Sequence, residues 1–163
     1  MPHTTVEARV GAPPEAVYDV IVATDPSRLV QGYGPLPRAT GTSDPDGVWG
    51  RAGASRTVHF GDGSAARERL VAAERPGHLR YRVTDYTNSL RVWATAAVAD
   101  WRLTRDGAAT RVVWTYAFEP RFALARLALL PVVHGLVRGY MRHILREVAR
   151  RAELAGGETV RPA

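Results

Sequence analysis

The sequence has no cysteine, which excludes a disulfide framework, a thiol nucleophile and a zinc-thiolate site. It has no lysine: every basic residue is arginine, and Asn88 is its one asparagine. Arginine and alanine in excess, with no lysine, match the codon bias of a high-GC genome. That origin and the scatter of the arginines weaken a reading of the net charge of +6 as a nucleic-acid footprint. Long apolar runs are also missing. The longest, Phe122 to Val137, contains Arg126 and Pro131 and falls short of the roughly 20 residues that cross a bilayer. Met1 to Thr4 runs into alternating residues with no basic, apolar, small-residue succession, so no secretory signal is expected. A cytoplasmic protein fits these absences. The five histidines, His3, His59, His78, His134 and His143, lack metal-ligand spacing, and no phosphate-binding glycine loop or nucleophile elbow occurs. No metal and no cofactor are expected.

What is present is one domain's worth of chain. The 163 residues are 45% hydrophobic and 23% charged, enough for a sizeable core. Residues 1–155 read as one domain and 156–163 as a frayed tail. The alternation from Thr4 to Val10 predicts a strand. Pro14 opens a helix over Glu15 to Val22, since proline is tolerated in a first helical turn. Asp25-Pro26-Ser27 starts a second short helix, and Gln31 to Pro37 reads as an irregular loop. Six further strands are expected over residues 37–42, 50–60, 64–74, 78–86, 92–103 and 110–119. The intervening compositions are turn-forming: Asp44 to Gly47, Gly61 to Gly63, Arg75 to Gly77, Thr87 to Ser89 and Arg105 to Gly107. After Pro120 come a helix over 121–130, an interruption at Pro131 and a long helix from about Val132 to Leu154, ended by Gly156-Gly157. Val133, Leu136, Val137, Tyr140, Met141, Ile144, Leu145 and Val148 form its apolar stripe, and Arg138, Arg142, Arg146 and Arg150 the opposite ridge.

Register can be counted outward from the Gly61-Asp62-Gly63 bend, because Asp-Gly between alternating segments is a strong hairpin signal. The count sets Arg56 against Glu68, on the face that also carries Ala54, Val58, Phe60, Ala66 and Leu70. It sets Glu68 against Asp85 and Ala72 against Tyr81, and leaves Tyr86 on the polar face. Trp114, Tyr116 and Phe118 should point inward, with Trp101, Ala99, Thr95 and then Trp93; a one-residue slip would invert that strand. An apolar face thus carries Arg56, Glu68 and Asp85 in a row. These read as a polar cluster on a cavity wall, orienting a ligand carbonyl or phenol, or as an ion pair that pins sheet register. Tyr81, Tyr116 and Tyr140 are candidate cavity hydroxyls, able to serve as general acids or simply to pack. Trp93, Trp101 and Trp114 would stack on a planar guest or fill the core.

The order strand, two short helices, six-stranded meander and long helix resembles the START-like helix-grip superfamily, an α+β fold in which a curved antiparallel sheet grips the C-terminal helix. Gly53-Ala-Ser-Arg56, Gly61-Asp-Gly63, Glu68 and Val112-Val-Trp-Thr-Tyr-Ala-Phe118 resemble its bacterial polyketide cyclase/dehydrase and lipid-transport branch (SRPBCC). The resemblance implies a deep cavity for an apolar or aromatic small molecule. The expected activity is a cofactor-independent cyclase, aromatase or dehydratase acting on a polyketide-like intermediate of secondary metabolism. Arg56, Glu68, Tyr81 and Tyr116 are the catalytic candidates. Asp85, Trp93, Trp101, Trp114, Phe118, Tyr140 and Ile144 are the ligand-binding ones. A non-catalytic carrier or sensor of a lipid or aromatic metabolite stays open. Neither nucleic acid nor stable membrane insertion is expected, and a homodimer is left open.

Overall fold

A hairpin meander with one face apolar can bury that face only against another layer. In the computed structural model, which describes residues 1–158, that layer is the C-terminal helix. Seven strands form one curved antiparallel sheet: β1 (His3–Val10), β2 (Ala39–Asp46), β3 (Ser55–Phe60), β4 (Ala65–Glu74), β5 (His78–Thr84), β6 (Ala94–Asp106) and β7 (Ala109–Pro120). Their order is β1-β7-β6-β5-β4-β3-β2, so the first strand closes the sheet against the last and every later neighbour is a sequential hairpin. Between β1 and β2 lie α1 (Pro14–Ala23) and α2 (Pro26–Leu29), the latter capped by Asp25, whose carboxylate accepts from the Ser27 N–H. The fold is the helix grip that the order of elements implied.

The hairpin at Asp62 has the expected register, with Arg56 opposite Glu68 and Val58 opposite Ala66. The β6–β7 pairing also matches, bringing Trp101 to Trp114, Ala99 to Tyr116 and Ala97 to Phe118. Alanine facing a large ring repeats along this pair. The small residues of β6 leave the space that the rings of β7 occupy, and the two indoles stack at 4.0 Å, 14° from parallel.

Other expectations fail for local reasons. β4 and β5 pair two residues away from the counted register, Glu68 facing Val83 and Leu70 facing Tyr81, with a bulge between Leu70 and Ala72. The chain leaves β5 at Thr84, and Asp85 takes a left-handed backbone, φ 54°. That reversal turns Asp85 to solvent and Tyr86 inward, the opposite of strict alternation. Val92 and Trp93, expected at the start of a strand, belong instead to a helical turn, α3 (Leu90–Trp93). A bulge between Ala94 and Ala96 then leaves Thr95 exposed. β2 runs through Asp44 and Pro45 to Asp46, and β3 begins only at Ser55, so residues 47–54 form the connection.

Pro131 does not interrupt the C-terminal helix. It ends α4 (Ala123–Pro131), and the chain continues through a π-helical segment, Val132–Val137, into α5 (Arg138–Glu158). The wider π turn is a known way to accommodate an irregularity inside a helix. Gly156 and Gly157 lie within α5 rather than ending it. The expected frayed tail is therefore helical as far as 158, and its remainder lies outside the described residues. The apolar stripe packs as its spacing implied: Val133, Val137, Met141, Ile144, Leu145 and Val148 are buried beneath the sheet.

Candidate functional site

Between the sheet and α5 lies a cavity of about 200 Å³. One water needs about 10–15 Å³ by this measure, so the space suits a guest of on the order of ten to twenty heavy atoms. Its wall is mostly apolar: Val58, Phe60, Leu79 and Val83 from the sheet, Met141, Ile144 and Val148 from α5, and Leu29, Val30, Leu36 and Pro37 from α2 and the loop after it.

One patch of this wall is polar. The Arg56 Nε donates to the Glu68 Oε2 at 2.9 Å, and both side chains are nearly buried, at 15% and 16% exposure. The guanidinium also lies over the Trp49 ring, 3.7 Å from its centroid, a cation–π contact. Burial pushes the Glu68 carboxyl above the usual carboxylate range, against the pull of Arg56. Four tyrosines complete the patch: Tyr81, Tyr86, Tyr116 and Tyr140 all line the cavity. Burial raises each phenol well above its ordinary value, and in all four the Glu68 charge adds to the rise. These hydroxyls therefore stay protonated and are hydrogen-bond donors at neutral pH. The Nε1 atoms of Trp49 and Trp114 are buried without a hydrogen-bond partner among the described residues.

The structure brings Arg56, Glu68, Tyr81, Trp101, Trp114, Tyr116 and Phe118 from the sheet and Tyr140 and Ile144 from α5 to the lining of one cavity. It leaves out two of the candidates. Asp85 is exposed and accepts a hydrogen bond from the Thr84 hydroxyl at 2.9 Å, so the expected row of three is a pair. Trp93 is exposed on α3, 6.1 Å from the Phe122 ring, because the helical turn and the bulge at Thr95 carry it off the inner face. Sequence reasoning missed Tyr86 and Trp49. Asp85, a residue tolerant of left-handed backbone, was the signal that could have exposed Tyr86. Trp49 sits in the connection before β3, where no periodicity applies.

The chain matches the family described as polyketide cyclase / dehydrase and lipid transport over residues 1–153. No curated protein sequence matches it. Among solved structures it is similar to Ara h 8.0201 (TM-score 0.71, 16% identity, covering 92% of this chain and 96% of that one). It is also similar to a protein from Chromobacterium violaceum (TM-score 0.66, 15% identity, 93% and 97%). A third similarity is to DynU16, from the dynemicin biosynthetic locus (TM-score 0.63, 22% identity), covering 96% of this chain and 49% of that one. At these identities the likeness is one of fold.

Proposed function

Because the chain belongs to the polyketide cyclase / dehydrase and lipid transport family, we propose that its cavity takes up a flat apolar or aromatic molecule and acts on it without a cofactor. The observation that carries this reading is the polar patch in a mostly apolar wall: a carboxyl pushed upward by burial, a guanidinium beside it and four protonated phenols around them. A purely apolar guest needs none of these groups. A guest with carbonyl or phenol oxygens would be held in one orientation by them.

The chemistry that suits the patch is an intramolecular aldol closure. A carbonyl oxygen of the guest accepts from Arg56 and is polarised. The Glu68 carboxylate takes a proton from the adjacent carbon, and its raised pKa makes it a better base than an exposed glutamate. The resulting enolate carbon bonds to a second carbonyl carbon of the same chain. The oxygen of that carbonyl takes a proton from a tyrosine, Tyr116 or Tyr81, and the phenolate recovers its proton from Glu68. Loss of water from the product would follow by the same groups. The proton and electron count closes with no outside reagent.

A carrier or sensor is the second reading. It is favoured by the Arg56–Glu68 contact itself, which engages both partners with each other. The two readings separate on a panel of linear and cyclised poly-β-ketones incubated with the protein and followed by mass spectrometry. Catalysis predicts products that Glu68→Gln and Tyr116→Phe suppress and that Val83→Phe, a cavity-filling change, abolishes. A carrier predicts retention of the guest in native mass spectra, sensitive to Val83→Phe alone. No product and no retained guest across the panel would refute both.

A further inference from the structure

We propose that α3 and α4 form a docking surface for an anionic lipid bilayer. The two helices are joined side by side: the Arg121 N–H donates to the Trp93 carbonyl at 2.9 Å, the Arg121 Nε donates to the Arg91 carbonyl at 2.8 Å, and the rings of Trp93 and Phe122 are in contact. α4 buries Ala125 and Leu129 and turns the rest of its apolar content outward. Leu124 is 71% exposed and Leu127 63%, with Val92, Trp93, Phe122 and Val132 exposed beside them. An isolated exposed leucine needs no explanation, but six large apolar side chains on this joined pair of helices and the residues flanking α4 do.

The charge of the chain segments that carry this ridge points to its occupant. No aspartate or glutamate occurs between Asp85 and Asp100, or between Glu119 and Glu147. Arg91, Arg121, Arg126, Arg138, Arg142 and Arg146 lie in those two acid-free stretches, all exposed. None of the six is in an ion pair among the described residues, whereas Arg9, Arg75, Arg82, Arg105 and Arg111 each meet a carboxylate elsewhere on the surface. A second copy of the chain seated on this ridge would bring together these exposed arginines of the two copies, none of which has an ion pair among the described residues. An anionic bilayer supplies the missing charge at its phosphates. It also accepts leucine, phenylalanine and tryptophan side chains to a depth of about 5–10 Å without a preformed groove. No helix among the described residues is long and apolar enough to cross a membrane, so the ridge would lie on the surface.

The position of the ridge suits that role. Leu90, the first residue of α3, lines the cavity, while Val92 and Trp93 on the same turn belong to the ridge. Docking there would bring one wall of the cavity to the headgroup layer, where an apolar guest partitions. The inference goes beyond the proposed chemistry and does not need it, since the test reads attachment to vesicles.

The test is flotation of the full chain with phosphatidylcholine vesicles, with and without phosphatidylglycerol, at low and high salt. Binding is expected to the mixed vesicles, weakened by salt. Leu124→Gln/Leu127→Gln, which leaves charge unchanged and touches no buried contact, is expected to weaken it roughly tenfold or more. Arg126→Gln should weaken it roughly fivefold. Circular dichroism of the variants establishes that the fold is retained. The proposal is overturned by any of the following: no binding to either vesicle, equal binding to neutral and anionic vesicles without salt dependence, or wild-type binding by the leucine variant. It is equally overturned if sedimentation velocity shows a dimer that the leucine variant dissociates, or if an acidic protein occupies the ridge while vesicles do not.

Discussion

Replacing Arg56 by methionine should destabilise the protein by an amount that pH controls. The side chain is nearly buried, and its removal leaves the Glu68 carboxylate without its partner in an apolar wall. Leaving one member of a buried pair charged and alone costs about 3–5 kcal/mol. The carboxyl has an escape, however: it can take up a proton. Holding that proton costs about 1.36 kcal/mol for each pH unit above the ordinary glutamate value of 4.5, so the penalty is capped near 3.4 kcal/mol at pH 7 and near 1.4 kcal/mol at pH 5.5. Loss of the contact with Trp49 adds about 0.5–2 kcal/mol that pH does not change. The sign follows from linkage. Without Arg56 the folded-state pKa of Glu68 rises further above its unfolded value, so the folded protein binds the proton more tightly and the variant loses stability as pH rises. Urea unfolding followed by tryptophan fluorescence at pH 5.5 and pH 7 measures the difference. Glu68→Gln in the Arg56→Met background should remove the pH dependence and recover part of the loss. A penalty equal at both pH values, or a double variant no more stable than Arg56→Met, would refute the idea that Glu68 is ionised against Arg56 in the folded protein.

Three further outcomes follow from the structure. Gly139→Ala puts a methyl group 2.5 Å from the Tyr33 ring, which must move, while alanine favours the helix by about 1 kcal/mol. Thermal stability should hardly change, but amide exchange over residues 31–36, whose Leu36 lines the cavity, should quicken; unchanged exchange would show that Tyr33 does not hold that loop. Glu147, bonded to Arg150 and Arg151, is held down to about 2, so its stabilisation is present above about 4.5 and lost as pH falls towards about 2. Both arginines are partly solvated, so Glu147→Gln should cost only about 0.5–1 kcal/mol at pH 7 and nothing at pH 2; a larger loss at low pH would contradict the sign. Replacing Trp101 and Trp114 by leucine, singly and together, should give a coupling energy of about 0.5–1.5 kcal/mol in denaturant melts, and additive losses would mean that the stacked pair contributes no more than its separate burial.

Short-range physics made much of this molecule legible. The bend at Asp62 is set by its own residues. Alternation on either side then has one register that buries Val58, Ala66 and Leu70, and that register places Arg56 against Glu68. The helix stripe from Val133 to Val148 is equally local, since 3.6-residue spacing fixes one face whatever it packs on. Errors entered where one residue changed the count. A bulge after Leu70 shifted β5, a left-handed Asp85 exchanged the places of Asp85 and Tyr86, and a helical turn with a bulge at Thr95 removed Trp93.

Sequence alone therefore determined the order of the seven strands, the grip of sheet on helix and the ion pair, because each follows from hydrophobic periodicity or from a turn's own composition. Tertiary structure decided which tyrosines surround Glu68, that Trp49 lies under Arg56, and that Pro131 sits within a continuing helix rather than at a break. These depend on backbone irregularities that cost little locally and are selected by packing across the cavity. A periodicity of two or of 3.6 residues cannot encode them.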